Sequence, residues 1–192
     1  MRVSIAQIAP VLLDRDATID RTIEAIHEAA DAGARLVAFG ETLIPGYPAW
    51  LSRTDGARFD SDLQKQLHAR YLDQAIDIEA GNLSGVCDAA RERSIAVVVG
   101  VAERPADRGG HTLFCSAVTI APDGRVASVH RKLVPTYEER LCWAHGDANG
   151  LVAHRFLQPF TVGSLNCWEN WMPLARAAMQ AQVAEARARS DA

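Results

Sequence analysis

The chain has 192 residues, of which 48% are hydrophobic, and a formal net charge of −4. This length and composition fit one domain with a substantial core and exclude a disordered polymer. No basic stripe stands out and no apolar run approaches the roughly 18 residues of a bilayer span, so nucleic-acid binding and membrane spanning are set aside.

Residues 2–9, "RVSIAQIA", alternate as a strand, and the single basic residue ahead of broken apolar pieces does not read as a signal peptide. Asp14 or Asp16 can cap a helix carrying Ile19, Ile23, Ile26 and Ala30 at helical spacing, which Gly33 ends. "ARLVAFGE" is a short strand closing at Glu41, and "TLIPGYPAW" is loop. Helices are predicted over 63–78 and about 82–93. "SIAVVVGVAE" is a β-branched buried strand, and "TLFCSAVTI" and "RVASVHRK" form a hairpin across "APDG". Residues 133–160 read as irregular. "FTVGSLNC" is the last strand, followed by an Ala-rich helix with Pro173 in its first turn. The order predicts an α/β layered fold with sheets covered on both faces. Cys87, Cys115, Cys142 and Cys167 lie far apart with no paired spacing, which predicts free thiols in a reducing cytoplasm.

Three predicted strands end in reactive residues: Glu41, Lys132 and Cys167. In open α/β sheets, sites gather beyond the carboxyl ends of strands. A lysine ammonium or a helix N-terminus can lower a thiol pKa, and "WENWMPLAR" is a candidate for such a terminus. A carboxylate can take the thiol proton and return it to a leaving amine, while lysine stabilises a tetrahedral anion. Together the three make an acyl-transfer site without metal or cofactor. Taken singly, each residue reads more simply as structural or solvated; their coincidence balances the two readings.

Other chemistries are weaker. There is no Gly-x-Gly-x-x-Gly or Walker loop, and Gly163–Cys167 lacks the second glycine of a serine nucleophile elbow. Cys142 and His145 offer two metal ligands without a partner pair. His130 beside a cysteine is an open alternative with no local signature. Trp50, Trp143, Trp168 and Trp171 read as packing, although three flank site loops and could line a small apolar pocket.

"FGETLIPGYPAW", "HRKLVPTYEERLCWAHGD" and "GSLNCWENWMPLAR" resemble the three signature regions of the nitrilase branch of the carbon–nitrogen hydrolases. The similarity runs from Met1 to about Met179. It implies an α-β-β-α sandwich, with Cys167 as nucleophile, Glu41 as general base and Lys132 as stabiliser of the tetrahedral intermediate. Glu139 matches the family's additional active-site glutamate. The backbone N–H of Trp168 is implied as an anion donor, and Tyr47 and Trp50 as pocket-mouth residues that contact substrate. The implied reaction converts a nitrile to a carboxylic acid and ammonia, needs no cofactor, and takes place in a homo-oligomer.

The resemblance stops before the chain does. Family members continue for a hundred residues or more past the cysteine, whereas "QAQVAEARARSDA" does not read as their helix-then-strand continuation. The expectation is a hydrolase domain over 1–179, incomplete in its C-terminal half, and a divergent helical or disordered tail over 180–192. It includes exposed sheet surface and a missing subunit interface. An amidase on the same triad, and a truncated inactive remnant or interaction module, are the competing functions.

Overall fold

The computed structural model describes residues 1–188. Its main sheet has five strands in the order β1 (Val3–Ala6), β2 (Leu36–Phe39), β3 (Ala96–Glu103), β4 (Phe114–Ile120) and β5 (Val126–Arg131). The first three are parallel, and the last two run antiparallel to their neighbours. Helix α1 (Arg15–Asp31) connects β1 to β2. Its Asp14 side chain accepts the Ala17 N–H, and Gly33 follows the helix at φ +79°. Between β2 and β3 lie α2 (Trp50–Arg53), α3 (Asp62–Gln74) and α4 (Ser84–Arg93).

Strand geometry sends alternate residues to opposite faces. Val37 and Phe39 of β2, with Val97 and Val99 of β3, pack against Ile26 of α1 and Val86 and Ala90 of α4. Leu36, Ala96 and Val98 face the other way, where Phe156, Leu157 and Val162 cover them. Those three residues belong to a second sheet of two antiparallel strands, β6 (His154–Leu157) and β7 (Phe160–Val162). Coverage on both faces explains why β3 and β4 are apolar at nearly every position. Helix α5 (Pro173–Ala188) docks on the small sheet's approach: the Gln182 side chain bonds the Ala153 N–H and the Leu151 carbonyl.

The expected layered α/β fold is present, with differences in detail. The predicted hairpin forms as β4 and β5, turning at Gly124 with φ +82°. Strand β6 lies inside the stretch read as irregular, because "HRFL" has only one fully buried residue and no clean alternation. The strand read as ending at Cys167 ends at Val162 instead. Residues 173–188 of the Ala-rich segment are helical, and the last four positions of the expected tail lie outside the described residues.

Candidate active site

Glu41 sits two residues past β2, in a turn pressed onto β3. Gly100 permits this approach: a Cβ there would overlap the Gly40 carbonyl and the Thr42 amide. Thr42 follows at φ +49°, fully buried, and the Ile44 N–H bonds the Gly100 carbonyl at 3.2 Å. The chain therefore leaves β2 along a path that depends on the missing side chain at position 100.

Lys132 lies one residue past β5, still paired to β4 through its N–H and the Cys115 carbonyl at 2.7 Å. Its side chain is 1% exposed, and its Nζ donates to Glu41 Oε1 and to Glu139 Oε2, both at 2.7 Å. Burial disfavours the ammonium, but the bonds to Glu139 and Glu41 more than offset this, so the lysine is held in its charged form.

Glu139 comes from a 3₁₀ turn, Tyr137–Leu141, closed by a capping box. The Thr136 N–H bonds Glu139 Oε2 at 2.6 Å, and the Tyr47 hydroxyl donates to Oε1 at 2.9 Å. Burial, then the bond to Glu139, pushes the Tyr47 phenol upward, so it stays a donor. On Glu41, the Cys115 thiol donates to the same oxygen that Lys132 holds, at 3.3 Å.

Cys167 opens a second 3₁₀ turn, Cys167–Trp171, at φ +45°. It shares a cleft of about 350 Å³ with Gly40, Glu41, Gly100, Asn166 and Asn170. Its environment corrects one expectation, because the thiol pKa is raised rather than lowered. Burial contributes most and Glu41 next; Lys132 and the Trp168 N–H pull the other way without prevailing. The resting group is a thiol whose proton needs an acceptor.

The structure brings Glu41, Lys132 and Glu139 into one bonded cluster, with Cys167 beside Glu41. It distributes the aromatic residues differently from one tryptophan-lined pocket. Tyr47 stands over the Glu139 carboxylate, edge-on to buried Trp143 at 5.7 Å. Trp50 packs on Tyr71 at 4.9 Å, against the core cluster that also holds Trp143 and Cys115. The Trp168 side chain is 59% exposed, stacked on Trp171, and borders an apolar hollow with Pro135, Tyr137 and Met172. His130 bonds Glu169 at 2.8 Å, so it does not form a Cys–His pair. Among the described residues, no group of three His, Cys, Asp or Glu is placed to hold a metal ion.

Sequence reasoning missed Cys115, Thr42, Gly100 and Glu169 as parts of the site. For Glu169 there is a legible signal: Asn166 and Glu169 have the capping-box spacing, and the structure forms that box. Glu169 is fully buried. Burial pushes its carboxyl up, but the His130, Leu133 and Asn166 donors leave it below its ordinary value.

The family model for carbon–nitrogen hydrolases matches residues 2–192. The chain belongs to the carbon–nitrogen hydrolase family, whose layered fold it shares. Its curated relatives lie in the nitrilase branch. It is 40% identical over 185 residues to an aliphatic nitrilase of Sinorhizobium fredii (strain HH103), covering 93% of this chain and 56% of that protein. It is 39% identical over 179 residues to an arylacetonitrilase of Hypocrea virens, covering 92% and 50%. The chain thus spans about half the length of the curated relatives it matches. Among solved structures, a carbon–nitrogen hydrolase from Helicobacter pylori G27 superposes with a TM-score of 0.69 at 20% identity, over 93% of this chain and 56% of that one. An amidase from Nesterenkonia sp. superposes at 0.54 and 20% identity, over 77% and 48%; these likenesses concern the fold.

Proposed function

We propose that this chain carries the catalytic groups of a nitrilase, converting a nitrile and two waters to a carboxylic acid and ammonia. The observation that carries the reading is the Lys132 ammonium, bonded to Glu41 and Glu139 at 2.7 Å each beside the Cys167 cleft. Cys167 attacks the nitrile carbon as Glu41 takes its thiol proton and passes it to the nitrile nitrogen, and a thioimidate forms. Water, giving a proton to Glu41, adds to the C=N carbon to give a tetrahedral species, whose anionic character Lys132 and the Trp168 N–H stabilise. Ammonia leaves with the proton Glu41 returns, and the thioester remains. A second water, deprotonated by Glu41, releases the acid and restores the thiol. Glu139 holds Lys132 charged and in place, and Tyr47 orients Glu139.

Curated relatives named as aliphatic nitrilase and arylacetonitrilase support the nitrile as substrate class. Tyr47 and Trp168 border the site and are the residues we assign to substrate contact. Trp50 is better read as packing, since its ring stands against Tyr71. The four free thiols favour work in a reducing cytoplasm, and exposed apolar side chains favour self-association.

The test is ammonia release by the purified chain from aliphatic and aromatic nitriles and from the matching amides. Nitrile turnover that Cys167→Ala abolishes, with the far-UV spectrum unchanged, is the expected outcome. Amide turnover without nitrile turnover would reassign the substrate class. A folded protein that hydrolyses neither would sink the enzymatic reading and leave the interaction module.

A further inference from the structure

We propose that Glu169 is a positioning residue that holds Cys167 in register with Lys132; the proposal rests on the reading of Cys167 as nucleophile. Glu169 Oε1 accepts the Leu133 N–H at 2.7 Å. Its Oε2 accepts the Asn166 N–H at 2.7 Å and faces His130 Nε2 at 2.8 Å. Leu133 directly follows Lys132, and Asn166 directly precedes Cys167. One carboxylate thus ties together the two backbones that carry the nucleophile and the ammonium. His130, on β5 two residues before Lys132, is the third anchor.

The two 3₁₀ turns show that this goes beyond turn formation. Both carry a capping box in which the glutamate serves its own N-cap amide. In both, the carboxylate also reaches the Lys132 segment, and Glu139 accepts the Tyr47 hydroxyl besides. Glu139 reaches the Lys132 Nζ, whereas Glu169 reaches the peptide on its far side and the strand before it. An isolated cap needs no carboxylate at 0% exposure, because burying a charge costs several kcal/mol unless donors converge on it. Here three donors converge, and two of them are backbone N–H groups of the loops that must stay together. His130 can change tautomer to suit a new partner, but backbone amides cannot.

That asymmetry defines the test, Glu169→Gln. An amide has one acceptor oxygen, so either the Leu133 or the Asn166 N–H loses its partner. We expect kcat per folded molecule to fall about a hundredfold with KM nearly unchanged. Alkylation of Cys167 by iodoacetamide, followed peptide by peptide in a mass spectrometer, should slow about tenfold or more, as the thiol moves away from the Lys132 charge. Glu169→Asp keeps both oxygens on a shorter stem and should fall between. Wild-type kcat and alkylation rate in folded Glu169→Gln would overturn the proposal. So would a loss confined to the folded fraction, with the alkylation rate constant unchanged. If the variant does not fold, amide exchange in the wild type decides: the Leu133 and Asn166 N–H groups should be protected together, and free-loop exchange at either overturns it. The alkylation and exchange readings need no turnover. Wild-type protein inactive on nitriles and amides therefore sinks the functional reading, while alkylation and exchange still decide whether Glu169 holds Cys167 beside Lys132.

Discussion

Cys167 sits where five influences meet, and their balance predicts its chemistry. Burial and the Glu41 and Glu139 charges raise the thiol pKa; the Lys132 ammonium and the Trp168 N–H lower it. Removing the carboxylate charge with Glu41→Gln should move the pH midpoint of Cys167 alkylation down. Removing the ammonium with Lys132→Met should move it up. A shift in the same direction for both would contradict the electrostatic account of the site. Lys132→Met has a second consequence, because it strands the Glu139 carboxylate, 4% exposed, without its cation. Loss of one partner from a buried pair costs about 3–5 kcal/mol, which urea unfolding should register. The residue types were legible in the sequence, since Glu41, Lys132 and Cys167 drew attention by chemistry alone. The sign of the thiol shift was not. It depends on how deeply the thiol is placed and on how near it stands to the Glu41 and Lys132 charges, neither of which has a sequence signature.

At the scale of elements, the site is built by turns more than by strands. Two 3₁₀ turns present Glu139 and Cys167, and a strained turn presents Glu41. Close backbone approaches hold the Glu41 turn and the end of β5 in place. Gly100 sits under the Glu41 turn, and Gly146 and Gly150 sit under the end of β5, where added Cβ atoms would overlap Arg131 and His130 backbone. Gly100→Ala should therefore cost about 1–3 kcal/mol in urea unfolding and depress hydrolysis further than the stability loss explains. Wild-type rates in that variant would show that Glu41 does not rely on this contact. The expectation that Cys167 ends a strand missed the four residues between Val162 and Cys167. They belong to no strand, and the left-handed φ at Cys167 turns the chain into the 3₁₀ turn. Apolar runs of this length do not distinguish strand from extended loop, because both place side chains alternately.

For the whole molecule, the uneven coverage of the main sheet matters most. Its centre is packed on both faces, but edge strand β1 leaves Val3 47% and Ile5 85% exposed. Trp171 and Leu174 add apolar surface at 76% and 85% exposure near the start of α5. Exposed edges and apolar patches promote association. We expect this chain to bind a hydrophobic dye and to self-associate in light scattering. Ile5→Lys should reduce both while changing unfolding free energy by no more than about 0.5 kcal/mol. Unchanged scattering would move the association surface away from β1. No helix among the described residues is long and apolar enough to cross a membrane.

The sequence by itself determined the layered α/β class, the main strands and helices through β5, the hairpin and the reactive residue types. Those follow from local periodicity, turn chemistry and motif wording, which are properties of neighbours along the chain. Only the tertiary structure decided that Lys132 bonds both glutamates, that Glu169 joins the loops of Lys132 and Cys167, and that the thiol rests protonated. These depend on contacts between residues as far apart as Glu41 and Lys132, and on burial, which sets how strongly charges act on one another.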